Sequence, residues 1–104
     1  MNNLFLMIEY ALLQSTNLTG DEKIILSLIK ICNDDEEQCL MTNSEIGKLI
    51  RLHPKSVSRI LNKLKNLGLI SITQIYHKNS KQIEKRILKI ISYPTINNKI
   101  KDNE

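Results

Sequence analysis

TNSEIGKLIRLHPKSVSRILNKLKNLG, residues 42–68, reads as a helix, a tight turn and a second helix whose two faces differ in kind. Thr42 followed three residues later by Glu45 forms a capping box, in which the hydroxyl satisfies an orphan N–H while the carboxylate reaches back to the cap. The first helix is therefore expected from about Asn43. Ile46, Leu49 and Ile50 supply its apolar stripe, and Gly47 leaves room for another backbone to approach. The turn comes at about Arg51 to His53. Pro54 has no N–H to lose and a φ already near helical values, so it opens the second helix. Val57, Ile60, Leu61, Leu64 and Leu67 then fall on one stripe, and Gly68 is placed to end the helix in a left-handed cap.

The other face of the second helix carries Lys55, Ser58, Arg59, Asn62 and Asn66, flanked by Ser56 and Lys63. These side chains hold donors for phosphates and the amide and guanidinium groups that read adenine and guanine edges. A merely solvated helix face is the competing reading, and the residues after Gly68 argue against it. Leu69, Ile70, Ile72 and Ile75 predict a strand ending near Tyr76, and Ile83, Ile87, Leu88, Ile90 and Ile91 predict a second. Between them lies the polar, basic run His77-Lys78-Asn79-Ser80-Lys81-Gln82. Two strands joined by a basic hairpin behind a helix of this kind make a wing.

At this point the chain resembles the winged helix-turn-helix family of bacterial DNA-binding proteins. The resemblance rests on LT-x-x-E-K and K-x-V-x-R-x-L-x-x-L-x-x-x-G-L-I, carried here by Leu18-Thr19, Glu22-Lys23, Lys55, Val57, Arg59, Leu61, Leu64 and Gly68-Leu69-Ile70. Such modules occur in small transcriptional regulators and at the N-terminus of plasmid and phage replication proteins. The resemblance implies an α+β, mainly α fold: a three-helix core plus a small antiparallel sheet. It implies double-stranded DNA as partner, with Thr42, Asn43, His53, Lys55, Ser56, Ser58, Arg59, Asn62 and Lys63 at the helix-turn-helix and His77, Lys78 and Lys81 on the wing. A small, repressor-like transcriptional regulator is the role expected, with a plasmid or phage replication or maintenance protein binding origin repeats, or a protein-protein adaptor, as the alternatives. Two residues depart from the pattern: Arg51 stands where the family has glycine in the turn, and His53 where it has a serine or threonine cap. A non-glycine residue in a left-handed turn carries strain.

The 104 residues suit one domain, read as a segment 1–17, a winged core 18–91 and a polar tail 92–104 expected to be flexible. Hydrophobic residues make up 41% and charged residues 25%, ordinary for a globular chain. No apolar run approaches a membrane span and the start does not read as a signal peptide, so cytoplasmic residence is expected. The net charge of +4 hides a division: residues 1–47 hold two basic against eight acidic side chains, and 48–89 hold eleven basic against one acidic. A polyanion is drawn to the second part and repelled by the first, which orients the molecule on such a partner.

The apolar run Leu4-Phe5-Leu6-Met7-Ile8 continues through Tyr10, Ala11, Leu12 and Leu13. Periodicity does not separate one helix from a strand followed by a helical turn; the reading adopted is a helix over about Leu4 to Leu13. It serves either as a dimerisation element or as a cap on the monomer's core. Thr19 and Glu22 form a second capping box, with Ile24, Ile25, Leu28, Ile29 and Ile31 on the buried face of its helix. Asn33 to Gln38 reads as an acidic loop and Cys39-Leu40-Met41 as a short strand joining the wing sheet.

Cys32 and Cys39 are the only cysteines, and the histidines fall in the turn and the wing, so no four-ligand zinc set is expected and reduced thiols are the default. The Asp34-Asp35-Glu36-Glu37 run lacks the alternation and glycine of a calcium loop. No phosphate loop or nucleophile constellation is present. No enzyme activity, cofactor or small-molecule ligand is expected. Tyr76 and Tyr93 are read either as contacts to a sugar-phosphate backbone or as packing residues.

Overall fold

Two capping boxes set where the long helices begin. Thr19 N–H donates to Glu22 Oε1 at 2.9 Å while Glu22 N–H donates to Thr19 Oγ1 at 3.3 Å; Thr42 and Glu45 repeat the exchange at 2.9 and 3.1 Å. In the computed structural model, which describes residues 8, 10–15, 17–36 and 38–93, the order is α1 (Tyr10–Leu13), α2 (Gly20–Glu36), α3 (Asn43–Ile50), α4 (Pro54–Asn66), β1 (Ile70–Tyr76) and β2 (Ile83–Ile90). This is the expected mainly helical α+β winged architecture.

The helices enclose a core in which Leu12, Ile25, Leu26, Ile29, Ile46, Val57, Leu61 and Leu64 are buried with Ile70 and Leu88 from the sheet. Val57, Leu61 and Leu64 are the predicted stripe of α4, with Ile60 half-buried beside them. Two stripe positions fall outside. Leu49 is 55% exposed because the buried arc of α3 is centred on Ile46, Gly47 and Ile50, which leaves position 49 over its edge. Leu67 is 50% exposed because α4 ends at Asn66, making Leu67 its C-cap rather than a further turn.

β1 and β2 form an antiparallel hairpin with Ile70 opposite Ile90, Ile72 opposite Leu88 and Gln74 opposite Arg86, and an irregularity at Ile75/Tyr76. The predicted strand at Cys39 to Met41 reduces to one bridge, Cys39 to Leu88, with Leu88 N–H donating to Cys39 O at 2.9 Å. The adjoining stretch of the β2 edge is taken by a side chain instead. Asn33 accepts from Ile90 N–H at 2.8 Å and donates to Leu88 O at 3.1 Å, imitating a neighbouring strand. Asn33 reaches that edge from within α2, so the acidic loop expected from Asn33 is helix through Glu36, and Lys30 braces it by an ion pair to Asp34 one turn on.

Of the expected helix over Leu4 to Leu13, Tyr10–Leu13 is helical as α1 and Ile8 is not; residues 1–7 and Glu9 lie outside the described residues. Ala11 and Leu12 pack into the monomer core, whereas Tyr10 and Leu13 are 65% and 52% exposed. Tyr93 is buried: its hydroxyl lies 3.2 Å from Ser27 Oγ, and Lys30 Nζ sits 5.4 Å from its ring centroid. Packing is therefore the role of Tyr93, and the core reaches two residues past Ile91; residues 94–104 lie outside the described ones. Among the described residues no helix is long and apolar enough to cross a membrane.

The turn between α3 and α4 is tightly closed. Arg51 adopts φ 59°, ψ 48°, and a Cβ on Gly47 would lie 2.4 Å from the carbonyl oxygen of Leu52. That neighbour is backbone and cannot step aside. Gly47→Ala should therefore cost about 1–3 kcal/mol or more through overpacking, read as a lower urea midpoint. Gly20→Ala, with nothing within 4 Å of the added carbon, should stay within about 1 kcal/mol of wild type. Equal midpoints for the two variants would contradict this reading of the turn.

Candidate nucleic-acid interface

Because Val57, Leu61 and Leu64 face inward, α4 turns Lys55, Arg59 and Asn62 outward, all exposed, with Ser56 and Ser58 half-buried along the same side. Arg59 Nη2 donates to Ser56 Oγ at 3.3 Å, which orients the guanidinium along the helix. Among the described residues no hydrogen bond or ion pair engages the side chains of Lys55, Ser58 or Asn62. The face is a row of donors and amides held by a rigid helix.

His53 caps α4. Its Nδ1 accepts the Lys55 N–H at 3.0 Å, doing what a serine hydroxyl would do, and this leaves Nε2 as the outward donor. Histidine at this position thus keeps the cap and adds a donor at the start of the helix. Arg51, the other departure from the family pattern, takes the left-handed conformation on a non-glycine backbone and donates its N–H to Gly47 O. It adds an exposed cation to the turn.

Thr42 and Asn43 lie at the start of α3. Thr42 Oγ1 is committed to the cap, and Asn43 Oδ1 accepts from Arg86 Nη1 at 2.6 Å. Arg86 also donates to Met41 O through Nη2. Burial pushes the Arg86 guanidinium below its ordinary range, while the nearby Cys39 thiol acts in the opposite sense. Sequence reasoning missed Arg86. The signal was available in the strand: residues 86, 88 and 90 share one face of β2, so Arg86 had to lie inward beside Leu88.

Lys63 is held elsewhere. Its Nζ donates to both carboxylate oxygens of Glu22 at 2.9 Å, joining the first turn of α2 to the third turn of α4. The Glu22 side chain is 8% exposed and that of Lys63 44%. Burial pushes the Glu22 carboxyl up, but the bonds from Lys63 and Thr19 outweigh it and hold the group below its usual range. The bonds from Thr42 likewise hold the Glu45 carboxyl low.

His77, Lys78 and Lys81 are all exposed on the hairpin connection. His77 N–H donates to Gln82 O at 2.9 Å, Ser80 N–H to His77 O at 3.1 Å and Gln82 N–H to Ser80 Oγ at 3.0 Å, with Asn79 at φ 59°. The backbone of the tip is fixed and its basic side chains project from it.

Two helices about a tight turn, the second with a polar outward face, followed by a two-stranded basic hairpin, define a winged helix-turn-helix of the DNA-binding class. The chain belongs to the family of Crp-like helix-turn-helix domains, which residues 22–86 match. Among solved structures, an "N-Terminal domain of DNA binding protein" is similar with a TM-score of 0.60 and 20% identity, over 96% of this chain and 84% of that one. No curated protein matches the chain.

The Glu22–Lys63 pair predicts a pH signature. A carboxyl whose folded pKa is depressed adds stability that is complete above its unfolded pKa, near 4.5, and is lost as pH falls through the lower folded value. Glu22→Gln should cost about 1–3 kcal/mol at pH 7, the scale of a hydrogen bond to a charged group, and the gap to wild type should close as pH is lowered from 5 to about 3. Urea melts at several pH values measure it. A gap independent of pH would show that the ionised pair contributes nothing.

Proposed function

We propose that this protein is a sequence-specific binder of double-stranded DNA and acts as a small transcriptional regulator, with α4 in the major groove and the wing on the phosphate backbone or adjacent minor groove. The observation that carries the reading is the outward row Lys55, Ser56, Ser58, Arg59 and Asn62 on a helix whose opposite side is packed. A major groove admits one helix, and Arg and Asn are the side chains that pair bidentately with guanine and adenine edges there. Thr42, Asn43 and the Nε2 of His53 lie at the two helix starts, where donors meet phosphates. Lys63 serves this face indirectly, by tying it to α2 through Glu22. The similar solved structure, itself part of a DNA-binding protein, agrees with a DNA partner.

A binding series on a selected duplex and on random sequence tests the assignment. Arg59→Ala should lose discrimination, about 1–3 kcal/mol against the wrong base, while random-sequence affinity falls less. Lys78→Ala with Lys81→Ala should weaken binding to all sequences and flatten the slope of log affinity against log salt by up to roughly two units, at about 0.9 per phosphate. Equal losses on both duplexes for Arg59→Ala, or an unchanged salt slope for the double variant, would contradict the respective role.

We further propose a homodimer on a two-fold site. A single α4 reads a short half-site, and two copies extend affinity and specificity over half-sites about 10 base pairs apart or a multiple of it. The exposed Tyr10 and Leu13 beside the core-packed Leu12 support α1 as the contact. Sedimentation of the full chain at tens of micromolar should show a dimer that Tyr10→Ser with Leu13→Ser dissociates. A monomer with and without DNA would sink the idea.

A further inference from the structure

We infer that the cleft between the last turns of α2 and the segment leading into α3 is a binding site for one soft monovalent cation of the copper(I) class, held by Cys32, Cys39 and Met41. Cys32 and Cys39 line this cleft together with Met41, Gln38, Leu40 and Glu45, around a space of about 190 Å³ open to solvent. Cys32 Sγ lies 3.9 Å from Met41 Sδ. Two sulfurs at that separation, each joined to a metal by a bond of roughly 2.3 Å, subtend about 116° at the metal, near the 120° of a three-coordinate centre. Cys39, a buried residue that lines the same cleft, is assigned as the third donor.

Donor chemistry selects the ion. Thiolate and thioether sulfurs are soft ligands that favour copper(I), whereas magnesium and calcium take oxygen. Zinc requires a fourth ligand, and among the described residues no three His, Cys, Asp or Glu gather into a metal set. A thioether does not enter that count, so the count leaves a sulfur-only site open. Binding releases one proton from each thiol, so M(I) with two thiolates and a neutral thioether carries one negative charge. A cation is in place to balance it: Arg86 interacts electrostatically with Cys39 and donates to the carbonyl of Met41 itself. Glu45, whose ionised carboxylate accepts the Thr42 N–H, also lines the cleft and opposes this negative charge, so Arg86 must outweigh it.

The site adjoins the start of α3 through its neighbours. Met41 precedes the α3 cap Thr42, and Arg86 bridges Met41 to Asn43. A metal here locks the start of α3 to the end of α2 and to β2.

The test is anaerobic titration of the full reduced chain with copper(I) in competition with bicinchoninate, followed by the melting temperature with and without the ion. The expected result is one copper(I) per chain and a raised melting temperature. Cys32→Ser and Cys39→Ala should each weaken retention by about tenfold or more, and Met41→Leu by a smaller factor. Should Cys39→Ala fail to fold, loss of the copper-dependent rise in Cys32→Ser carries the same decision. Retention by wild type no greater than by Cys32→Ser, or one ion shared by two chains with Met41→Leu unchanged, overturns the site.

Discussion

The passage of the Leu52 carbonyl across the space a side chain would fill at Gly47 is the constraint on which the rest of the structure depends. It lets α3 and α4 meet across three residues, and the left-handed Arg51 and the His53 cap complete the reversal. With the turn set, the packing of Val57, Leu61 and Leu64 against α2 leaves α4 one orientation, and its polar side must face outward. The candidate binding face is thus a consequence of core packing on the opposite side of the same helix.

Side chains, more than secondary structure, hold the surrounding elements to this unit. Lys63 ties α4 to α2 through Glu22, and Arg86 ties the wing strand to the start of α3. Asn33 closes the edge of β2 where a third strand is reduced to a single bridge. Each is a polar group whose partners are supplied within the protein, and among the described residues no buried side-chain nitrogen or oxygen lacks one. A small core gains definition from such ties because each fixes an angle that apolar contact alone leaves soft. Both the wing and α4 are positioned by a charged side chain at the rim of the core.

Much of this was legible in the sequence because the signals were local. Capping boxes, a proline at a helix start, a glycine past its end and two β-branched runs each act within a few residues; α3, α4 and β2 begin where those signals put them, and β1 begins one residue later, at Ile70. Contacts between distant residues were not legible. Lys63 reads as one more outward cation until Glu22, 41 positions away, is folded against it. Asn33 reads as loop because its partners Leu88 and Ile90 lie more than fifty residues on. Leu49 and Leu67 were misassigned to buried stripes for a related reason: periodicity gives the angle of a side chain but not how far the neighbouring element extends. The candidate face of α4 needed only its own periodicity, which is why those residues emerged from the sequence together.

The central claim, that the outward face of α4 and the wing meet DNA while α1 and the acidic end of α2 stay clear, is tested most directly by amide chemical-shift changes when the full chain is titrated with a selected duplex. The account predicts the largest changes at Lys55 to Asn62 and at His77 to Lys81, with the end of α2 around Asp34 nearly unmoved. Largest changes on α2 or α1, with Lys55 to Asn62 silent, would contradict it.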